Sequence, residues 1–467
     1  MGTRTHKTAA LLCLGTLFLF LSGQAHGAGF AIVEQSVSGL GNAFAGGAAS
    51  AEDATTIFFN PAGMTRLGGQ QAILGGHVII PSAKFENQGS THSSGAPLTG
   101  GDGGDGGVTK LVPNAYYTIG FDNGLALGLG VSAPFGLATD YDDGWVGRYH
   151  ALESDLKTVI LNPSVAYRVA DWLSVGAGVS AMYVDATLSS AVDFGLVGFQ
   201  AAKDAGVPDA SNPFAAMLQA ADGEVELSGN QWEWGFNLGV LVEFNENTRL
   251  GAAYRSRVKC GLKGDADFTV PSTVTSVPTL GAGIAATFAD TDADVDITLP
   301  DTFSLSLYHR YNQWLAVMAD VTWTNWSVFD ELKVEFQPNE FGLAPPDSVT
   351  TENWEDSWRF SAGATINPTP AWPVRVGVAY DQTPIPDAEH RTPRIPGEDR
   401  FWVALGTGYR VADWFRFDVG YAHLFVKDGK INKTITSPTD EDASRGALKG
   451  EFDNSVDIVS AQVIFRF

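Results

Sequence analysis

The chain has 467 residues, and 53 acidic side chains against 29 basic ones give a formal net charge of −24. That acidic excess excludes a nucleic-acid partner, which needs a basic footprint. With 2 cysteines in the whole chain there is no disulfide framework and no Cys-based metal site.

The N-terminus, residues 1–27, reads as a secretory signal. Arg4 and Lys7 supply charge, Ala9 to Leu21 is an apolar run, and Ala25-His26-Gly27 offers small residues ahead of a cleavage point before Ala28. The run is shorter than the roughly 18 apolar residues that a membrane-spanning helix wants. No later segment is longer and as apolar, so an exported chain of this kind is either soluble or a β-barrel.

Residues 28–68 differ from everything after them. Gly39-Leu40-Gly41, Gly46-Gly47 and Asn60-Pro61-Ala62-Gly63 break the stretch repeatedly, yet Phe30, Ile32, Val33, Phe44, Ile57, Phe58 and Phe59 make it apolar. A periplasmic tail would not need that apolar content. A plug buried in a wide lumen would.

From residue 69 to 467 the chain reads as strands. Starts fall near Gln71, Leu111, Leu125, Asp155, Leu173, Glu224, Thr248, Asp294, Trp314, Ser357, Val374, Phe401, Phe415 and Asn454. That makes about 14 strands of an all-β, antiparallel transmembrane barrel with an N-terminal hatch in its lumen. The alternation is plain in several of them. Phe415, Phe417, Val419 and Tyr421 alternate with Arg416, Asp418 and Gly420, and Phe401, Val403, Leu405 and Tyr409 alternate with Gly406, Gly408 and Arg410. One face suits lipid; the small or charged face suits a lumen. Short turns at Ala170-Asp171-Trp172, Asn312-Gln313-Trp314, Ala371-Trp372 and Asp413-Trp414 carry Trp residues, as an interfacial girdle would. Long polar connections at 89–109, 195–222, 271–293, 337–355 and 437–450 take the other side. The chain ends on Phe467, an aromatic terminus suited to the barrel-assembly machinery.

Ala133-Pro134-Phe135-Gly136 interrupts the third strand. Pro134 has no N–H to donate and Gly136 permits a kink. About nine residues past Leu125, at roughly 3.3 Å each and tilted about 40°, Pro134 stands roughly 23 Å up an apolar band of about 25 Å. It either ends the strand or opens the wall.

The ordered set Ala28-Gly29-Phe30, Ser38-Gly39-Leu40-Gly41, Glu52-Asp53-Ala54, Asn60-Pro61-Ala62, Phe135-Gly136-Leu137, Gly147-Arg148-Tyr149, Tyr254-Arg255-Ser256, Thr324-Asn325-Trp326, Tyr380-Asp381-Gln382 and Asp399-Arg400-Phe401-Trp402 resembles the FadL-like outer-membrane transporters of long-chain fatty acids and aromatic hydrocarbons. The resemblance implies ligand sites toward the extracellular side, a hatch gated through Phe30 and Asn60 to Gly63, and a lateral exit through the wall at Pro134, Phe135 and Gly136. It implies no cofactor and no metal. Its partners would be a hydrophobic small molecule, outer-membrane lipid and lipopolysaccharide.

For the ligand, Phe194, Phe199, Phe214, Met217 and Leu218 in one long loop and Ile284 and Phe288 in another offer pocket material, or equally a helix packed on its own loop. Family members that carry fatty acids place a basic residue after the fifth strand and another after the ninth. Residues 183–200 and 334–358 contain neither Lys nor Arg here, so neutral hydrocarbons are expected to be carried at least as well as fatty acids, unless Lys203, Lys259, Lys263 or Arg148 substitutes. Gly101 to Gly107 faintly resembles a calcium-binding glycine repeat, and Asp290, Asp292, Asp294 and Asp296 could chelate a cation. Both read more simply as outer loops. No hydrolase, zinc-protease or nucleotide motif is present. A lipase or a plain porin is the remote alternative to a hydrophobic-solute transporter.

Overall fold

The structure, a computed structural model, describes residues 29–467. The proposed signal, residues 1–27, lies outside the described residues.

Residues of alternating polarity form a closed 14-strand antiparallel barrel. The strands are β1 (Gln70–Asn87), β2 (Lys110–Gly120), β3 (Leu125–Ser132 and Gly136–Asp140), β4 (Glu153–Ala170), β5 (Leu173–Asp193), β6 (Asp222–Asn245) and β7 (Thr248–Arg255 and Val258–Thr269). They continue as β8 (Thr291–Leu299 and Thr302–Arg310), β9 (Leu315–Thr324 and Glu331–Phe336), β10 (Ser348–Thr351 and Ser357–Thr369), β11 (Trp372–Asp381), β12 (Arg400–Ala412), β13 (Phe415–Val426) and β14 (Lys449–Arg466). Each pairs with its neighbour, and β14 returns to β1 from Gln71↔Arg466 to Asn87↔Gly450. Phe467 donates its N–H to the Gln70 carbonyl at 3.0 Å and completes the seam. Closure leaves no sheet edge in the bilayer, the condition a strand-built membrane protein must meet.

The outward face is greasy. Val403, Leu405, Val419, Tyr421 and Val459 are all exposed on it. Trp172, Trp314, Trp372 and Trp414 are exposed at the short-turn end and form the expected girdle there. Arg416 and Asp418 turn inward and are buried, whereas Arg410, at the short-turn end of β12, is exposed.

The long connections are built, not loose. Asp105 accepts hydrogen bonds from the N–H groups of Ala83 and Gly107 at 2.7 and 3.1 Å, which ties the 101–107 loop to β1. This glycine-rich stretch is therefore not the flexible loop its composition suggests. Tyr141 stacks on Trp145 at 4.4 Å beneath it. Together with Phe85, Leu98 and Phe452, these rings roof one side of the barrel mouth.

The register makes a direct prediction. About four residues above the turn, at roughly 3.4 Å each and tilted about 40°, Val419 stands roughly 10 Å up, near mid-membrane. Val419→Arg should cost about 2–4 kcal/mol, read as a lower midpoint in denaturant unfolding of the detergent-solubilised barrel. Gly420→Ser should cost less, because it faces the lumen. It is not free, since a Cβ there meets Leu40 at 3.2 Å. The reverse order would contradict the register.

Candidate substrate passage

Residues 30–66 lie inside the barrel, and their polar groups bond to its wall around the circumference. Asn42 donates to the Ala364 carbonyl of β10 at 2.8 Å, and Ala48 N–H donates to Ser306 of β8 at 2.9 Å. Asn60 donates to the Val240 carbonyl of β6 at 2.9 Å, and Arg249 of β7 donates to the Ala49 carbonyl at 3.0 Å. Tyr116 of β2 donates to the Gln35 carbonyl at 3.0 Å. The wall is glycine where this backbone comes closest. A Cβ at Gly239 would overlap the Asn60 carboxamide, and one at Gly251 would overlap the Ala48 carbonyl. This close approach is one physical reason for the chain's many glycines.

Local chemistry shapes the segment. Asn60 caps the turn Pro61–Arg66 by accepting the Ala62 N–H at 3.0 Å, with Pro61 at the first position, where its missing N–H costs nothing. A Cβ on Gly63 would overlap the Thr56 hydroxyl. The strongest anchor is ionic. Glu52 accepts from both Arg375 of β11 and Arg416 of β13, the latter at 2.8 Å, and both arginines also bond Asp418, at 3.0 and 2.6 Å.

At the other end of the segment lies Phe30. Its ring sits 4.8 Å from Trp326, 5.8 Å from Phe329, 5.7 Å from Trp354 and 6.2 Å from Phe135. The knot divides the lumen. On the long-loop side Phe30, Leu156, Leu262, Val295 and Ile297 help to line an apolar cavity, the upper cavity, whose ionisable lining groups are Glu352, Arg394 and Asp265. On the short-turn side lies a second, lower cavity. It is lined by Pro134 and Phe135, by the carboxylates Glu34, Asp320 and Asp381, and by Arg255, Arg359 and Arg400.

Pro134 does not end β3, because the strand resumes at Gly136 and keeps pairing with β4. Between the halves, the N-terminal segment substitutes for a neighbour. Ile32 N–H donates to the Pro134 carbonyl at 2.8 Å and Gly136 N–H to the Phe30 carbonyl at 3.0 Å. Gln35 donates to the Ala133 carbonyl at 2.6 Å and accepts from its N–H at 3.2 Å. The break is thus patched from inside. A Cβ on Gly136 meets Ile32 at 2.7 Å, so a bulky residue there would displace the patch before filling any hole.

The loop residues singled out from the sequence go elsewhere. Phe194, Phe214 and Ile284 are buried together, with Phe199, Met217 and Phe288 packed on them, where helices α1 (Phe194–Asp204) and α2 (Leu280–Thr287) meet. Leu218 is only half-buried. None of the seven lines either cavity. Helix-on-loop packing was the alternative open from sequence, and it is the one adopted. Of the substitute cations, Lys203 is exposed and Arg148 is committed to Asp222 at 2.8 Å. What the sequence reading missed is Arg394, which reaches the upper cavity from the connection between β11 and β12. An Arg in a Pro-rich connection gives no local signal.

Residues 18–467 match the family described as outer membrane protein transport protein (OMPP1/FadL/TodX). The chain belongs to this family. It is 31% identical over 443 residues to the long-chain fatty acid transport protein of Escherichia coli strain K12, covering 93% of this chain and 95% of that one. It is 32% identical to outer membrane protein P1 of Haemophilus influenzae, with 88% of this chain and 89% of that one covered. A crystal structure of a Pseudomonas aeruginosa FadL homologue superposes with a TM-score of 0.83 at 24% identity, over 94% of this chain and 100% of that one. The protein is an outer-membrane transporter of the FadL family.

The ionic anchor is testable. Arg375→Ala strips Glu52 and Asp418 of a buried partner, and such a loss typically costs about 3–5 kcal/mol. The barrel should keep its β-sheet circular dichroism while the segment around Glu52 becomes open to protease. Unchanged protection would show that the ion pairs do not hold it.

Proposed function

We propose that this transporter carries long-chain fatty acids and similar amphiphiles from the upper cavity, past Phe30, to the break in β3, where they leave sideways into the membrane. The observation that carries the reading is the continuity of parts. Two cavities are separated by one aromatic knot, and the residues next to that knot patch the wall. Displacing residues 30–32 opens the passage between the cavities and the wall in one movement, while Glu52 keeps the rest of the segment in place. A greasy solute gains by leaving sideways, since it is never returned to water. Lipopolysaccharide surrounds the outer rim in this reading, and the exposed ring of Phe467 is what the barrel-assembly machinery engages.

The substrate class follows from Arg394. Its guanidinium donates to the Glu153 and Ser189 carbonyls at 2.9 and 3.1 Å and to the Ser154 hydroxyl at 2.9 Å. Among the described residues no carboxylate stands within ion-pair distance of it. It is a half-buried cation with neutral hydrogen-bond partners at the edge of an apolar cavity, and a ligand carboxylate supplies the opposite charge. This favours ionised acids over the neutral hydrocarbons that the two loops without Lys or Arg suggested. Burial pushes the Glu352 carboxyl in the same cavity up to about 8, against the pull of Lys433, a hydrogen bond from Trp354 and Arg394. Below that pH it is protonated and does not oppose a carboxylate.

Arg394→Gln should therefore weaken binding of an ionised fatty acid by about 10- to 100-fold, the worth of a charged hydrogen bond of roughly 1.5–3 kcal/mol. The matched alcohol should bind as before. As pH rises through about 8, Glu352 ionises and acid affinity should fall while alcohol affinity stays flat. Glu352→Gln should abolish that slope. Equilibrium binding to the detergent-solubilised protein checks all three, and equal loss for acid and alcohol in Arg394→Gln would refute the assignment.

A further inference from the structure

The wall has a second break, far from β3. β6 pairs with β7 from Asn237↔Arg255 to Asn245↔Thr248, and again from Glu224↔Thr269 to Asn230↔Lys263. Between these ladders, Gln231–Gly235 of β6 and Val258–Leu262 of β7 face each other without pairing. Ser256 bridges the lower end, donating its N–H to the Phe236 carbonyl at 2.9 Å and accepting the Phe236 N–H on its hydroxyl oxygen at 2.9 Å. The β3 break is patched by residues 30–35. Between β8 and β9 the ladder also lapses, from Thr302↔Thr324 to Val295↔Val334, and Asn325 bridges its lower end with two bonds to Asp301, both at 3.0 Å.

Gly235 stands about ten residues above the turn, which at roughly 3.4 Å each and a tilt of about 40° is roughly 26 Å, the level of the outer-leaflet headgroups. A row of unpaired backbone groups is costly inside hydrocarbon and tolerable at this height. Its margins are chemically specific. On the β6 side Trp232 and Trp234 are 53% and 70% exposed. On the β7 side Lys259 and Lys263 are exposed, and the nearest acid to Lys263 is Asp294 at 3.9 Å. Behind the gap, Val258, Cys260 and Leu262 belong to the same buried apolar cluster as Phe30, and Leu262 lines the upper cavity. No backbone ladder has to break for these side chains to part from β6.

We propose that the β6–β7 gap is a lateral port by which a single-chain anionic amphiphile passes from the outer leaflet into the upper cavity. The tryptophans receive the chain, and Lys259 and Lys263 hold the anionic head at the membrane surface. This rests on the transport reading above and adds a route of admission to it. The transporter then draws on ligand already dissolved in the outer leaflet as well as on ligand arriving from the medium.

A reversible staple tests it. A Cβ at Gly235 lies 3.1 Å from a methyl of Val258, within reach of a disulfide. Gly235→Cys with Val258→Cys, in a Cys260→Ser background, pins the two edges. Fatty acid is presented either pre-loaded in the outer leaflet or bound to albumin in the medium, and uptake is followed before and after reduction. The oxidised protein should lose uptake of leaflet-loaded acid, keep uptake from albumin, and recover on reduction. Equal uptake of leaflet-loaded acid in both states overturns the port. Absence of uptake from either source in the reduced protein overturns the transport reading instead. As a second variant, Lys259→Glu with Lys263→Glu should slow leaflet-loaded acid severalfold and spare the matched alcohol. Equal slowing of both would remove the head-group role.

Discussion

A chain that crosses a bilayer as strands must pair every backbone N–H and C=O, because lipid offers no substitute for water. The rest of this structure depends on how that demand is met at Ala133–Gly136. Pro134 cannot donate, and β4 reaches this stretch through the Thr158 hydroxyl, which accepts from the Phe135 N–H at 3.0 Å and donates to its carbonyl at 2.6 Å, in place of a backbone ladder. Residues 30–35 of the chain's own N-terminal segment satisfy the rest, at Ala133, Pro134 and Gly136. A patch made by a separate piece of chain can be withdrawn, whereas a ladder within the sheet cannot be withdrawn without opening the barrel.

The two ends of that segment are held by different forces. Around Glu52 the attachment is a buried network of two arginines and two carboxylates, in which removal of any one member leaves the others uncompensated. At the β3 break it is four hydrogen bonds to neutral groups, each worth about 0.5–1.5 kcal/mol net. Burial of the Phe30 ring adds about 1.5–3 kcal/mol, and the total is comparable with the roughly 8 kcal/mol released by binding a ligand with micromolar affinity. A ligand in the upper cavity touches Phe30 directly and so acts on the weaker end. Phe30 belongs to both structures, since its ring closes the passage and its carbonyl accepts from Gly136 in the wall.

Alternation made the barrel legible in the sequence. Val419, Tyr421, Phe401 and Leu405 announce a lipid face at period two, and Trp172, Trp314, Trp372 and Trp414 mark the short turns. The burial of residues 30–64 followed from their apolar content and frequent glycines. The composite strands were harder to read, because β7 to β10 each pause mid-way, at points such as Ser256-Arg257 and Pro300-Asp301, where the alternation simply resumes. Phe194, Phe214 and Ile284 misdirect for another reason. An apolar loop residue looks the same whether it lines a pocket or packs a helix on its own loop, and only the fold decides. Arg394 and Glu352 could not be found from local pattern, since their meeting at one cavity depends on two connections that are distant in sequence.

The central claim is that withdrawal of residues 30–32 from the β3 break is the gating step. Ala31 and Phe135 face each other as a bridge pair, flanked by the two backbone bonds of the patch. Residues so placed in an antiparallel pair lie about 4.5 Å apart at Cα, a spacing that accepts a disulfide. The decisive measurement is fatty acid uptake by Ala31→Cys with Phe135→Cys, in a Cys260→Ser background, oxidised and then reduced. The account predicts that the oxidised protein still binds ligand in the upper cavity, does not transport it, and regains transport on reduction. Undiminished uptake by the oxidised, correctly folded protein would contradict it.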